Sequence, residues 1–210
     1  HGAKHSVPPH LVNYRANILA LYKLGVRNIL ATAAVGSLNY DFKPGHFVLV
    51  DQFLDFTKSR PATLYEGGDM GVVHCDMTVP YCPRLRSAVM EAANGLQYQV
   101  SNGGVYVCTE GPRFETAAEI SVYKLLGGDV VGMTNVPEVV LAKELGMCYA
   151  AVGIITNWCT GLGDDLAHHD IRGTMEPKKD LLTQAFLSVF TEAELDQDHC
   201  NCNNCMVGLE

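Results

Sequence analysis

Charge, tryptophan and long apolar runs are what this sequence has least of. Charged residues make up 18% of it and there is one tryptophan. Basic residues are the minority sign, 15 Lys and Arg against 23 Asp and Glu, for a formal net charge of −8. A surface of that sign repels a phosphate backbone, which argues against nucleic-acid binding. No apolar run approaches the ~20 residues a membrane-spanning helix needs. No segment reads as a signal peptide, so a cytoplasmic protein with no membrane partner is expected. What is there is a 210-residue chain, 48% hydrophobic. That length suits one domain burying roughly 70% of its unfolded surface.

Cysteine is the residue in excess. Five of the eight, Cys75, Cys82, Cys108, Cys148 and Cys159, sit among apolar neighbours and read as buried free thiols. The other three cluster in His199-Cys200-Asn201-Cys202-Asn203-Asn204-Cys205. Such a cluster can hold a soft metal or form a disulfide. No second Cys pair at ligand spacing lies nearby, so no metal is assigned, and a disulfide or an inert tail is the expectation. The domain is therefore drawn over 1–198, with a Cys-rich tail over 199–210.

Apolar spacing predicts helices over Leu11–Leu24, Leu85–Ala93, Thr116–Leu126, Pro137–Leu145 and Lys178–Glu194. It predicts strands over Asn28–Ala33, Gly45–Phe56, Gly104–Cys108, Val130–Met133 and Tyr149–Ile155. This alternation gives an α/β fold: a single domain with a central mixed, mostly parallel sheet flanked by helices. Ligands of such sheets sit beyond the carboxyl ends of strands. The rule selects Ala33 to Gly36, Thr109 to Glu115, Met133 to Asn135 and Thr156 to Cys159. Two of these stretches carry complementary chemistry. Phe114 puts an aromatic face beside the Glu115 carboxylate, and Asn157 is an amide that both donates and accepts. A flat ring with one N–H donor and one carbonyl acceptor satisfies all three side chains, which outlines a 6-oxopurine pocket. Taken singly, Glu115 reads first as a helix-capping carboxylate, Asn157 as a turn residue, Thr134 as a cap, and His74 and His168 as surface histidines.

From His1 to about Ile171 the chain resembles the trimeric purine nucleoside phosphorylase and 5′-methylthioadenosine phosphorylase family. The carriers are His1-Gly2 with His5 and Pro9, Asn13-Tyr14-Arg15-Ala16-Asn17, and Ala33-Ala34-Val35-Gly36-Ser37-Leu38. Glu110-Gly111-Pro112-Arg113-Phe114 and Met133-Thr134-Asn135-Val136-Pro137-Glu138 complete the set. The resemblance implies phosphorolysis of an N-glycosidic bond, a homotrimer, and no cofactor beyond phosphate as co-substrate. It implies that His1, the Ala34 backbone N–H and the Thr134 hydroxyl bind phosphate. Met133 would lie under the ribose, Phe114 along the base, and His74 at the 5′ side of the sugar in a neighbouring subunit. His168 would reach a 5′-hydroxyl. The chain opens on His1, in the middle of a motif, so a strand and the Gly-rich phosphate loop of the family are expected upstream.

Adenine-preferring members carry serine after the phenylalanine, and aspartates where this chain has Asn157 and Cys159. Here Glu115 accepts the N1–H of hypoxanthine or guanine and Asn157 donates to O6 or N7, making these two the expected catalytic pair. The bare N1 of adenine would face the Glu115 carboxylate with no proton between them. Inosine, guanosine or 5′-methylthioinosine is the expected substrate. A 5′-methylthioadenosine phosphorylase is the alternative, followed by a hydrolytic nucleosidase or a non-catalytic fragment.

Overall fold

The computed structural model of the protein describes residue 2 and residues 6–95, 100–163 and 171–208. Nine strands and five α-helices follow one another in it: α1 (Tyr14–Lys23), β1 (Asn28–Ser37), β2 (Phe47–Leu49), β3 (Gln52–Phe56), β4 (Val73–Cys75), α2 (Pro83–Gly95), β5 (Val100–Asn102), β6 (Val105–Thr109), α3 (Ala117–Leu125), β7 (Val130–Gly132), α4 (Asn135–Glu144), β8 (Cys148–Trp158), α5 (Ile171–Glu192) and β9 (Met206–Gly208). Seven strands form one sheet in the order β3-β6-β7-β1-β8-β2-β5, and β4 pairs with β9 apart from it. Within the large sheet β1–β8, β2–β5, β3–β6 and β6–β7 are parallel, while β1–β7 and β2–β8 are antiparallel. The sheet is mixed and mostly parallel, as its alternating elements predict.

β8 is the spine. Ten of its residues from Cys148 to Asn157 are buried, as a strand covered on both faces must be. Tyr149, Ala151 and Ile155 pack with Tyr14 and Ile18 of α1 and Val139 and Leu141 of α4. Val152 and Ile154 pack with Val89 of α2 and Leu182 and Val189 of α5. Alternate side chains thus meet different helical layers, the period-2 geometry of a strand.

The predicted strand Gly45–Phe56 turns out to be two strands in opposite halves of the sheet, β3 at one edge and β2 next to the other. β2 pairs Phe47 with Val100, and β3 pairs Gln52 with Val105, in the same parallel register. One two-stranded ribbon therefore passes from one edge to the other, which it can do only if the sheet curls toward closure. The corner lies at Gly103 and Gly104, with φ of 102° and 159°. A Cβ on Gly104 would fall 2.9 Å from Val48 Cγ2, and one on Gly103 3.0 Å from Asp51 Oδ2. Asp51 Oδ1 accepts the Gly104 N–H at 3.1 Å, holding the corner. Only glycine fits such a bend.

β1 also departs from expectation: it continues through the small residues to Ser37, with an irregularity between Val35 and Gly36. Only Gly36 and Ser37 are in register with β7. Ahead of them β1 and β7 splay apart, leaving Thr32 and Ala34 on an open face. At the C-terminus, Val73 to Cys75 ladder with Gly208 to Met206, and Cys202 and Cys205 are buried. Residues 200–208 are therefore packed onto the body.

Candidate active site

The splay of β1 from β7 opens a cavity of about 740 Å³. Its walls are Thr32 to Gly36 of β1, Val131 to Thr134 at the end of β7, Thr156 and Asn157 on β8, Pro112, Phe114 and Glu115 before α3, and Ser6 to Pro9. Six sequence-predicted residues thus come together: Ala34, Phe114, Glu115, Met133, Thr134 and Asn157. His74 does not join them. It is exposed on β4, opposite Val207. His1 and His168 lie outside the described residues. Among the described lining residues there is no Lys, Arg or His.

Glu115 is 8% exposed. It does not cap α3, because Thr116 and Glu119 already form a reciprocal capping box there. Arg113 grips Glu119 with two bonds of 2.7 and 2.8 Å and holds that carboxyl down at about 2. Glu115 is thereby left to the cavity. Its Oε1 accepts from Thr109 Oγ1 at 2.6 Å, and Oε2 has no hydrogen-bond donor among the described residues.

Asn157 is 5% exposed, and its orientation is set by its neighbours. Thr156 Oγ1 donates to Asn157 Oδ1 at 2.7 Å, and Asn157 Nδ2 donates to the Trp158 carbonyl at 2.8 Å. The network assigns the amide's two ends and leaves one N–H of Nδ2 unspent. Gly36 makes room for it: a Cβ there would lie 3.2 Å from Asn157 Nδ2 and 2.9 Å from Cys159 Sγ. Burial, then the nearby Glu115 carboxylate, push the Cys159 thiol up, so it is a neutral neighbour and not a nucleophile.

Thr134 starts α4, and its side chain makes no capping bond; its hydroxyl lies instead within hydrogen-bonding reach of the Tyr106 phenol. Its N–H points at Tyr106 Oη, 3.4 Å away. Tyr106 is buried, and burial drives its phenol well upward, so it remains a neutral prop. Phe114 is 51% exposed at the mouth, and Met133 Sδ packs so close to Gly111 that a Cβ there would be 2.6 Å away.

Sequence reasoning missed Arg60, which ties the walls together. Its guanidinium donates to the carbonyls of Thr109 (3.1 Å), Glu110 (2.7 Å) and Val136 (2.7 Å), and to Tyr14 Oη (3.2 Å). Tyr14 in turn donates to the Pro9 carbonyl at 2.9 Å. Burial pushes the Tyr14 phenol up to about 12, against the pull of Arg60. Glu110 Oε2, 3.4 Å from Arg60 Nε, supplies the counter-charge. The start of α1, the end of β6 and the first turn of α4 share one cation. In sequence Arg60 is an arginine between Ser59 and Pro61 with no pattern around it. Tyr14 belongs to one of the sequence motifs, and the hub explains why a phenol stands there.

A carboxylate acceptor, an oriented amide donor and an aromatic lip can receive a flat, polar-edged ring, and Thr134 stands at a helix start beside them. The phosphorylase superfamily model matches residues 1–190. A protein of Pyrococcus furiosus named 6-oxopurine nucleoside phosphorylase is 50% identical over 99% of this chain and 80% of its own length. A Methanothermobacter thermautotrophicus protein named "Probable S-methyl-5′-thioinosine phosphorylase" is 47% identical over 100% of this chain and 72% of its own. Among solved structures, methylthioadenosine phosphorylase from Schistosoma mansoni in complex with adenine superposes with a TM-score of 0.85 at 34% identity, over 94% of this chain and 76% of that one. The fold and the relatives together define a nucleoside phosphorylase. The chain belongs to the phosphorylase superfamily, and its similarity is to the 6-oxopurine and methylthioinosine members.

Proposed function

We propose that the protein is an enzyme that catalyses phosphorolysis of 6-oxopurine nucleosides, inosine, guanosine or 5′-methylthioinosine. The products are the free base and ribose 1-phosphate or its 5-methylthio analogue. The names of the relatives support the activity. The observation that carries the substrate class is that Glu115 and Asn157 line one cavity, both nearly buried.

Glu115 Oε2 takes the purine N1–H, and in guanine the exocyclic amine as well, while Thr109 steadies the carboxylate. The unspent N–H of Asn157 donates to O6 or N7. As the glycosidic bond breaks, the base gains negative charge and the sugar gains oxocarbenium character. The Asn157 bond strengthens with that charge, which is transition-state stabilisation by a donor already in place. Phosphate is nucleophile and counter-anion, held by the Ala34 N–H, the Thr134 hydroxyl and His1, and the reaction draws on no other cofactor. Met133 lies under the ribose and Phe114 flanks the base. His168 and, from a neighbouring subunit of a homotrimer, His74 reach the 5′ side.

Base release from inosine, guanosine, adenosine and their methylthio analogues, with and without phosphate, tests the reading. Phosphate-dependent release of hypoxanthine and guanine supports it. Preference for adenine nucleosides, or release that ignores phosphate, refutes it.

A further inference from the structure

The strongest feature outside the cavity is a cluster of four sulfurs. Cys82, Cys148, Cys200 and Cys202 offer Sγ atoms that all lie within 4.8 Å of one another. Cys82, Cys148 and Cys202 are buried and Cys200 is half-buried. They come from three places: Cys82 just before α2, Cys148 at the start of β8, and Cys200 and Cys202 as a Cys-x-Cys pair after α5. A tetrahedral ion with bonds of about 2.3 Å needs sulfurs about 3.8 Å apart. The Cys148–Cys200 separation is 3.4 Å and no pair exceeds 4.8 Å, so adjustments of about an ångström or less close the shell.

The surroundings are those of an anionic centre. Gln197 Nε2 and Arg84 Nη2 point at Cys148 Sγ from 3.5 and 3.8 Å. N–H donors aimed at sulfur favour thiolates and orient them as ligands. Arg84 otherwise donates to neutral oxygens, the carbonyls of Glu194 and Leu195 and Asn28 Oδ1. No carboxylate pairs with it among the described residues. A half-buried cation without a counter-charge, beside four sulfurs, fits a tetrathiolate whose net charge with a divalent ion is −2.

We propose that these four cysteines bind one thiophilic divalent cation of the zinc class in a closed, structural site. On binding, four S–H groups release their protons to solvent and four sulfur–metal bonds form, with no change of oxidation state. The ion fastens the C-terminal segment to α2 and β8. Cys148 and Asn157 stand nine residues apart on β8, roughly 30 Å at 3.3 Å per residue, so the ion takes no part in the reaction.

The test is metal content and thiol reactivity of the protein prepared in reductant with zinc and then desalted. The expected result is one zinc per chain and four thiols slow to react until an organomercurial releases the ion. Cobalt substitution should give the intense visible bands of a tetrahedral tetrathiolate. Cys202→Ser and Cys148→Ser should lose the metal, Cys75→Ser should keep it, and stripping the wild type should lower Tm. Zinc-free protein under these conditions, or zinc retained by both ligand variants, overturns the proposal. So does a reductant-resistant mass deficit showing Cys148 or Cys202 locked in a disulfide. All readouts are independent of nucleoside turnover, so this claim and the phosphorylase reading fail separately.

Discussion

Replacing Glu115 with glutamine changes one atom's chemistry and separates charge from shape. The carboxylate is 8% exposed and takes one bond from Thr109 at 2.6 Å, leaving one oxygen for the base. Because the Thr109 hydroxyl can turn to accept, the glutamine side chain can still offer its carbonyl to N1–H. What it loses is charge assistance, the difference between a bond to a charged group (~1.5–3 kcal/mol) and a neutral one (~0.5–1.5 kcal/mol). That difference, ~1–1.5 kcal/mol, lowers kcat/KM for inosine about 5- to 13-fold. Glu115→Ala loses the whole bond, ~1.5–3 kcal/mol or about 10- to 150-fold. Adenosine responds oppositely to Glu115→Gln, whose new NH2 group meets the N1 lone pair, so its kcat/KM rises. Steady-state kinetics on both nucleosides, with circular dichroism to confirm folding, reads all of this. Inosine turnover within twofold of wild type in both variants, with adenosine unmoved, would refute the role of Glu115.

The other predictions concern the amide, its supports and the specificity pair. Asn157→Ala should lower kcat about 10²–10³-fold, as loss of a transition-state donor does, with the phosphate KM little changed. Gly36→Ala, whose Cβ would press on Asn157 Nδ2 and Cys159 Sγ, should lower kcat more than it raises KM; Thr156→Val should do the same by removing the donor that holds Asn157 Oδ1. Glu115→Ser with Asn157→Asp should turn preference toward adenosine, measured as the ratio of kcat/KM values. Arg60→Met strips the bond donor from three carbonyls; thermal unfolding should show a loss of about 3 kcal/mol or more, since each buried acceptor left unpaired costs ~1–3 kcal/mol.

Local pattern carried the elements whose partners are local. β8 shows in the apolar run ending at Ile155, and α3 shows in Thr116 with Glu119 three residues on, a capping signature. The cavity was legible because its side chains sit at strand ends, where a fold rule points without coordinates. Elsewhere the deciding contact is remote. Nothing within Gly45–Phe56 states that Leu49 and Gln52 belong to opposite halves of the sheet; that follows from the Gly103-Gly104 corner between β5 and β6. The three-residue β5 is too short for a period to show. α5 begins at Ile171, ahead of the predicted Lys178, and carries Pro177 within it. Arg60 is invisible because its acceptors are main-chain carbonyls, which have no sequence signature. The cysteine cluster hid for the same reason as the split strand: its members are distant in sequence and meet only through β8 and the C-terminal segment.

Time courses of hypoxanthine and ribose 1-phosphate from inosine, run beside adenine release from adenosine, test the central claim most directly. The account predicts equimolar hypoxanthine and sugar phosphate, strictly dependent on added phosphate, with adenosine turned over far more slowly. Faster release of adenine, or free ribose formed without phosphate, would contradict it.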